Sequence, residues 1–142
     1  MSLKKHKLSV AFDEDFCLLG IASDEPDYKL CWLINQQLGT SFIKGDDLVV
    51  FNSKINQQQE VSLFAYYDEN KMVTYRLISN RPSSGYFLSD LKNIDYVLHI
   101  QGDVVTNEID ELIGSIIKTE GIRLCVPVDL RRIKEKERLH LW

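Results

Sequence analysis

The segment that decides the fold is YVLHIQGDVVTNEIDELIGSIIKTEGIRLCVPV, residues Tyr96–Val128. Its pattern predicts a strand over Ile94–Gln101, an amphipathic helix, and a second strand over Ile122–Val126. Gly102 and Gly121 supply stop signals at the two junctions. The segment therefore predicts a strand–helix–strand unit.

The helix in this unit has the clearest periodicity in the chain. Thr106 or Asn107 is predicted to cap it, with Glu108 in the first turn and Lys118 in the last. Five aliphatic residues recur at helical spacing and predict one buried stripe: Ile109, Leu112, Ile113, Ile116 and Ile117.

The N-terminal half repeats this arrangement. Phe16–Ala22 is a nearly continuous apolar run, typical of a strand that is covered on both faces. Ser23–Pro26 predicts a helix start, and Gly39 predicts its end. Four residues form the apolar stripe of this helix: Leu30, Leu33, Ile34 and Leu38.

The middle of the chain predicts extended structure. Phe42–Phe51 is strand-like, and the amide-rich Ser53–Gln59 is predicted to be a loop. Val61–Tyr67 and Met72–Ser79 are rich in aromatic and β-branched residues on either side of a polar turn. These two runs predict an antiparallel hairpin, which a second loop, Asn80–Gly85, follows.

Together these elements predict an α+β fold for residues 1–142, as a single domain. Strands joined through a helix usually run parallel, whereas the hairpin must be antiparallel. We therefore expect a mixed, mostly antiparallel sheet with both helices on one face, in the order β-α-β-β-β-β-α-β. This two-layer sandwich is similar to ferredoxin-like and ACT-like layouts.

Apolar residues on both faces of the hairpin pose a question about the second face of the sheet. Leu63 and Ala65 point to one face, whereas Phe64 and Tyr66 point to the other. Leu8–Phe12 and the C-terminal apolar residues are candidates to cover the second face: Leu130, Ile133, Leu139, Leu141 and Trp142. A homodimer or protein-partner interface and a small-molecule pocket are the alternatives.

Charge and hydropathy exclude several classes of protein. The 142 residues carry 17 basic and 21 acidic side chains, a net charge of −4, so we expect no nucleic-acid partner. No apolar run approaches the ~20 residues that a membrane helix needs. The basic N-terminus leads directly into Asp13–Asp15 rather than into a signal-peptide core, and a cytoplasmic location is expected.

The residues that carry chemistry are scattered. Cys17, Cys31 and Cys125 form no disulfide framework and no CxxC motif, so we read them as buried thiols, with a reactive thiol as the alternative. The three histidines are equally far apart in sequence. We expect no metal site and no cofactor.

Four residues are weak candidates for a ligand-binding site: Asp95, Tyr96, Arg81 and Asn35. Asp95 and His99 fall on one face of a strand, about 13 Å apart along it, too far for a direct hydrogen bond. Pairing of Asp95 with Arg81 is favoured over a role as general base. Asn35 is interpreted as a turn or cap residue rather than a ligand. No residue is predicted to be catalytic.

A family resemblance enters at LSDLKNIDY, Leu88–Tyr96, which resembles the signature of the IPExxxVDY family, small bacterial proteins of uncharacterised function. The resemblance extends to Gly20–Asn35 and Leu77–Arg81. The chain has Ser89, Asp90 and Ile94 where that family has Pro, Glu and Val. Membership would imply a cytoplasmic α+β domain and no particular activity.

The first functional hypothesis is a non-enzymatic binding or regulatory module that self-associates through one sheet face. An ACT-like domain that senses a small molecule is the second. A small enzyme with a site near Asp95, Tyr96 and His99 is the third.

Overall fold

The computed structural model describes residues 16–82 and 85–140 and confirms the α+β class. The helices are α1 (Asp27–Leu38) and α2 (Thr106–Ile116). The strands are β1 (Phe16–Ser23), β2 (Ile43–Lys44), β3 (Leu48–Asn52), β4 (Gln57–Val61), β5 (Leu63–Asp68), β6 (Val73–Ser79), β7 (Tyr96–Gln101) and β8 (Ile122–Pro127). Leu8–Phe12, Leu141 and Trp142, which were candidate cover, lie outside the described residues.

Six strands form the main sheet, in the order β2-β5-β6-β7-β1-β8, and β3 and β4 form a separate two-stranded sheet. All neighbouring strands in the described residues are antiparallel, so the expectation of a mixed sheet is wrong. The reason is the position of β1, which lies between β7 and β8. The two strands that flank α2 still run in the same direction, but they are not neighbours.

The predicted element order lacks two strands. The predicted strand Phe42–Phe51 is divided into β2 and β3, which belong to different sheets. The pairing of β2 with β5 extends to Gly45, whose N–H donates to the Leu63 carbonyl at 2.9 Å, and β3 begins at Leu48 as the partner of β4. The last three residues of the predicted loop Ser53–Gln59 belong to β4, which pairs with β3. The strand β4 was not predicted because its glutamine side chains are typical of a polar loop. One of them, Gln59, is fully buried in the structure.

Both helices pack on one face of the sheet, as expected, and share one core cluster with it. From α1, the buried residues are Leu30, Cys31 and Ile34; from α2, they are Ile109 and Ile116. Sheet residues in the same cluster include Ile21, Leu77, Leu98 and Cys125. Leu38, Leu112 and Ile113 pack against this cluster as well, so most of both predicted stripes faces the core. The prediction is wrong for Ile117, which lies beyond the end of α2 and is 42% exposed.

The helix ends agree with the sequence only in part. Gly39 ends α1 in a left-handed conformation, φ 69°, as predicted. The cap of α2 is Val105 rather than Thr106 or Asn107, and its N–H donates to Glu108 Oε1, 3.1 Å away. This helix ends at Ile116, before Lys118. Neither helix is long and apolar enough to cross a membrane.

The second face of the sheet is covered by three segments of the same chain. They are the β3–β4 hairpin, the loop at residues 85–94 and the C-terminal segment at residues 128–140. Leu130, Ile133 and Leu139 lie in this cover, as predicted, together with residues that were not foreseen: Val50, Val61, Phe87, Leu88 and Ile94. Segments of the same chain therefore cover the face of the sheet that we considered as a dimer interface. A homodimer stays a prediction.

A buried asparagine holds the loop at residues 85–94 in place. Asn80 is fully buried, and its Nδ2 donates to the carbonyls of Leu91, at 2.8 Å, and Ile94, at 2.9 Å. Its Oδ1 accepts the N–H of Leu88 at 2.7 Å. One amide thus satisfies three backbone groups of a loop that has no strand partner.

A buried arginine connects the three covering segments. Arg138 is 6% exposed and donates to the carbonyl of Phe87 in the loop and to that of Phe51 in β3, the latter at 3.3 Å. Glu135, 3.9 Å from Arg138, accepts the N–H of Ser89 at 2.9 Å. The cover is therefore one hydrogen-bonded unit.

Replacing the buried amide tests this arrangement. In Asn80→Ala, the Leu88 N–H and the Ile94 carbonyl lose their side-chain partner, while the Leu91 carbonyl keeps the N–H of Ile94. We expect the free energy of unfolding to fall by about 2–4 kcal/mol in urea denaturation. The matched control is Asn93→Ala, since Asn93 is exposed in the same loop. Equal stability of the two variants would contradict the role given to Asn80.

Candidate functional site

A cavity of about 350 Å³ opens on the helix-bearing face of the sheet. It lies between the last turn of α1, one side of α2 from Glu108 to Ile116, the end of β5 and the start of β6. We call it the interhelical pocket. Apolar side chains from both helices form its walls: Ile34, Leu38, Ile109, Leu112 and Ile116.

Three aromatic rings form the floor of the pocket. The ring centroids of Tyr66 and Tyr75 are 5.8 Å apart, with 23° between the ring planes. Phe42 lies 5.6 Å from Tyr66 and 6.4 Å from Tyr75. Tyr66 and Tyr75 are neighbours because β5 and β6 pair in that register. The floor is therefore a contiguous aromatic surface.

Asn35 positions the third ring. Its Oδ1 accepts the N–H of Phe42 and the hydroxyl of Thr40, both at 2.8 Å, and its Nδ2 donates to the Phe42 carbonyl at 3.1 Å. These bonds fold residues 39–42 back under the end of α1. Asn35 is thus a turn residue, as interpreted from the sequence, and not a pocket-lining ligand.

The rim of the pocket is polar and mostly acidic. Asp68, Glu108 and Glu111 contribute carboxylates, and Lys71 contributes an ammonium group. Lys71 Nζ lies 3.9 Å from Glu108 Oε2, and both side chains are partly exposed. The Asp68 side chain accepts the N–H groups of Asn70 and Lys71, which holds the β5–β6 turn beside the pocket.

Burial and the carboxylates of the rim both affect the pKa of Tyr75 in the floor of the pocket. Burial is the largest cause that raises the pKa of Tyr75 to about 12, and the nearby carboxylates of Asp68 and Glu108 contribute to the same rise. The Tyr75 phenol is therefore a neutral hydrogen-bonding group at neutral pH. Its environment disfavours added negative charge.

The other predicted site residues lie elsewhere, around the N-terminal end of β7. Asp95 Oδ1 lies 2.7 Å from Arg81 Nε, and Oδ2 accepts the N–H of Ser23 at 2.8 Å. Arg123 approaches the same carboxylate at 3.7 Å. The pairing of Asp95 with Arg81 is present, and neither residue lines the interhelical pocket.

Tyr96 and His99 contact different parts of the structure. Tyr96 donates its hydroxyl to the Glu25 carbonyl just before α1, and burial raises its pKa to about 12. His99 lies on the second face of the sheet, where Phe16 stacks on it at 4.3 Å and Nε2 lies 3.2 Å from the Leu139 carbonyl. The grouping near Asp95 is therefore divided between separate environments.

Sequence reasoning missed the aromatic floor. Phe64 and Tyr66 were assigned to one face of the hairpin, but Phe42 was not connected with them. The available signal was the position of Phe42, three residues after the helix stop at Gly39. Recognising the pocket also requires the sheet order, which places the turn after β5 beside the start of α2.

The comparisons with known proteins leave the family open. No protein-family model matches the chain, and no curated protein matches it. Membership of the IPExxxVDY family therefore stays a prediction. The site is interpreted from its own geometry.

The three thiols are held in their protonated form. Burial raises the pKa of Cys17 to about 12, and burial is also the main cause that raises the pKa of Cys31 and of Cys125 to about 11. A thiolate is the nucleophilic form of cysteine. The described residues, 16–82 and 85–140, also contain no group of three or more His, Cys, Asp or Glu side chains that could hold a metal ion.

Alkylation kinetics test the state of the thiols. With pKa values near 11 and 12, the folded protein should react with iodoacetamide about a hundredfold or more slowly than free cysteine at pH 8. The rate should rise with pH until pH passes the raised pKa values. The stability that the protonated thiols contribute is present below the unfolded pKa and is lost as pH rises through the folded pKa.

The control for this experiment is the protein in denaturant, where all three cysteines should react at the rate of free thiols. Mass spectrometry of digested samples identifies the modified residue. Fast alkylation of one cysteine in the folded protein at pH 7 would restore the alternative of a reactive thiol.

Proposed function

We propose that this protein is a non-enzymatic binding module that holds a small molecule in the interhelical pocket. The observation that carries the proposal is the pocket itself. Its volume of about 350 Å³ falls in the usual range of small-molecule sites, about 300–1,000 Å³. Apolar walls with a few polar groups at the rim are also typical of such sites.

The rigidity of the walls supports a preformed site. Ile34, Ile109 and Ile116 line the pocket and are also nearly fully buried members of the helix-side core. Phe42 is 5% exposed and is fixed by the bonds to Asn35. A ligand would therefore lose little affinity to the ordering of the site.

The state of the reactive groups supports binding over catalysis. The thiols are protonated, and the Asp95 carboxylate is engaged by Arg81 and by the Ser23 N–H. The enzyme alternative, with a site near Asp95, would require these contacts to break. The pocket also fits the second hypothesis, a domain that senses a small molecule. The six-stranded sheet, however, differs from the layout expected for an ACT-like domain.

Ligand screening tests the proposal. We expect members of a panel of small aromatic and aliphatic compounds to raise the melting temperature. A ligand at a hundred times its dissociation constant should stabilise the fold by about 2.7 kcal/mol. Backbone amide signals of α1, β5 and α2 should shift in NMR titration with the same compounds.

A matched pair of variants assigns the binding to the pocket. Ser115→Phe places a ring into the cavity and should abolish binding, since Ser115 lines it. Ser53→Phe makes the same change at an exposed turn on the opposite side of the sheet and should leave binding intact. Binding that survives Ser115→Phe in a folded protein, or a panel without any hit, would contradict the proposal.

A further inference from the structure

The rim of the interhelical pocket has an unbalanced charge. Three carboxylates, those of Asp68, Glu108 and Glu111, face a single ammonium, that of Lys71, which leaves the lining at a formal charge of −2. The ammonium group of Lys71 pairs with Glu108 at 3.9 Å, and the Lys71 side chain is half exposed. In the part of the chain that the structure describes, neither Asp68 nor Glu111 takes part in an ion pair.

The orientation of α1 adds to this negative potential. Its last turn lines the pocket through Gln37 and Leu38, and the carboxyl end of a helix carries partial negative charge. This turn contains no basic side chain. The amino end of α2 also reaches the pocket, but Glu108 accepts the N–H of Val105 there and offsets its positive end.

The aromatic floor favours the same sign of charge in a ligand. The faces of Tyr66 and Tyr75 carry the negative part of the ring quadrupole, which attracts ammonium groups within about 6 Å of a ring centroid. The effect of Asp68 and Glu108 on the pKa of Tyr75 places their field at this floor. Leu38 and Leu112 leave an apolar wall beside the rings.

We infer that the interhelical pocket selects a small organic cation, in which an ammonium group is attached to an aromatic or aliphatic body. The ammonium group would lie between the rim carboxylates and the tyrosine rings, and the body would pack on the apolar walls. This inference rests on the proposed function, because it names the class of ligand for the same site. A free anion or a carboxylate of equal size is disfavoured by the same charges.

A trio of ligands with one body and three head groups tests the inference: phenethylamine, 2-phenylethanol and 3-phenylpropionate. Calorimetric titration should give an affinity for the amine at least about tenfold higher than for the alcohol, with the carboxylate weakest. Added salt should weaken binding of the amine and leave that of the alcohol nearly unchanged. These results support the inference.

Two variants that each remove one negative charge test the role of the rim, one at the rim and one as a matched control. Glu111→Gln should lower the affinity for the amine about threefold or more and leave that for the alcohol unchanged. Asp110→Asn, a change of equal charge at an exposed neighbouring residue that does not line the pocket, should lower the affinity for the amine less and should also leave that for the alcohol unchanged.

The outcomes separate this inference from the proposed function. Equal affinity for amine and alcohol, or a preference for the carboxylate, overturns the selection of cations while the binding module stands. Failure of all three ligands and of the wider panel overturns both. An amine preference that Glu111→Gln and Asp110→Asn reduce equally would assign the effect to the net charge of the protein and overturn the role of the rim.

Discussion

The structure depends on the burial of its two central strands on both faces. In β7, residues Tyr96–Ile100 are all buried, and in β1 only Cys17 is partly exposed. Alternate residues of such strands point in opposite directions, so an apolar layer is needed on each side. Helices α1 and α2 supply one layer, and the β3–β4 hairpin, the loop at residues 85–94 and the C-terminal segment supply the other.

This constraint also explains where a pocket can form. The second face is closed by segments that Asn80 and Arg138 connect through hydrogen bonds. The two helices share one core cluster on the other face, but beyond the end of α1 the aromatic floor is only partly covered. Tyr66 and Tyr75 therefore remain half-buried beside a fully packed core. The site is a consequence of how two helices cover six strands.

Much of this fold could be predicted from local patterns. The helix stop at Gly39 and the apolar stripe from Ile109 to Ile116 depend on residues close in sequence, and both are confirmed by the structure. The covering role of Leu130, Ile133 and Leu139 followed from counting apolar residues on two faces. The strand β4 could not be recognised, because the burial of Gln59 depends on residues distant in sequence. The position of β1 between β7 and β8 likewise depends on long-range pairing, and so does the pocket.

Native-state hydrogen exchange tests the claim of double burial most directly. If one chain covers both faces, the amides of Val97 and Ile100 in β7 should exchange only through global unfolding. Their protection should then equal the free energy of unfolding and be the same at low and high protein concentration. Protection of β7 that rises with protein concentration, or that is lost through local opening of the loop at residues 85–94, would contradict this account.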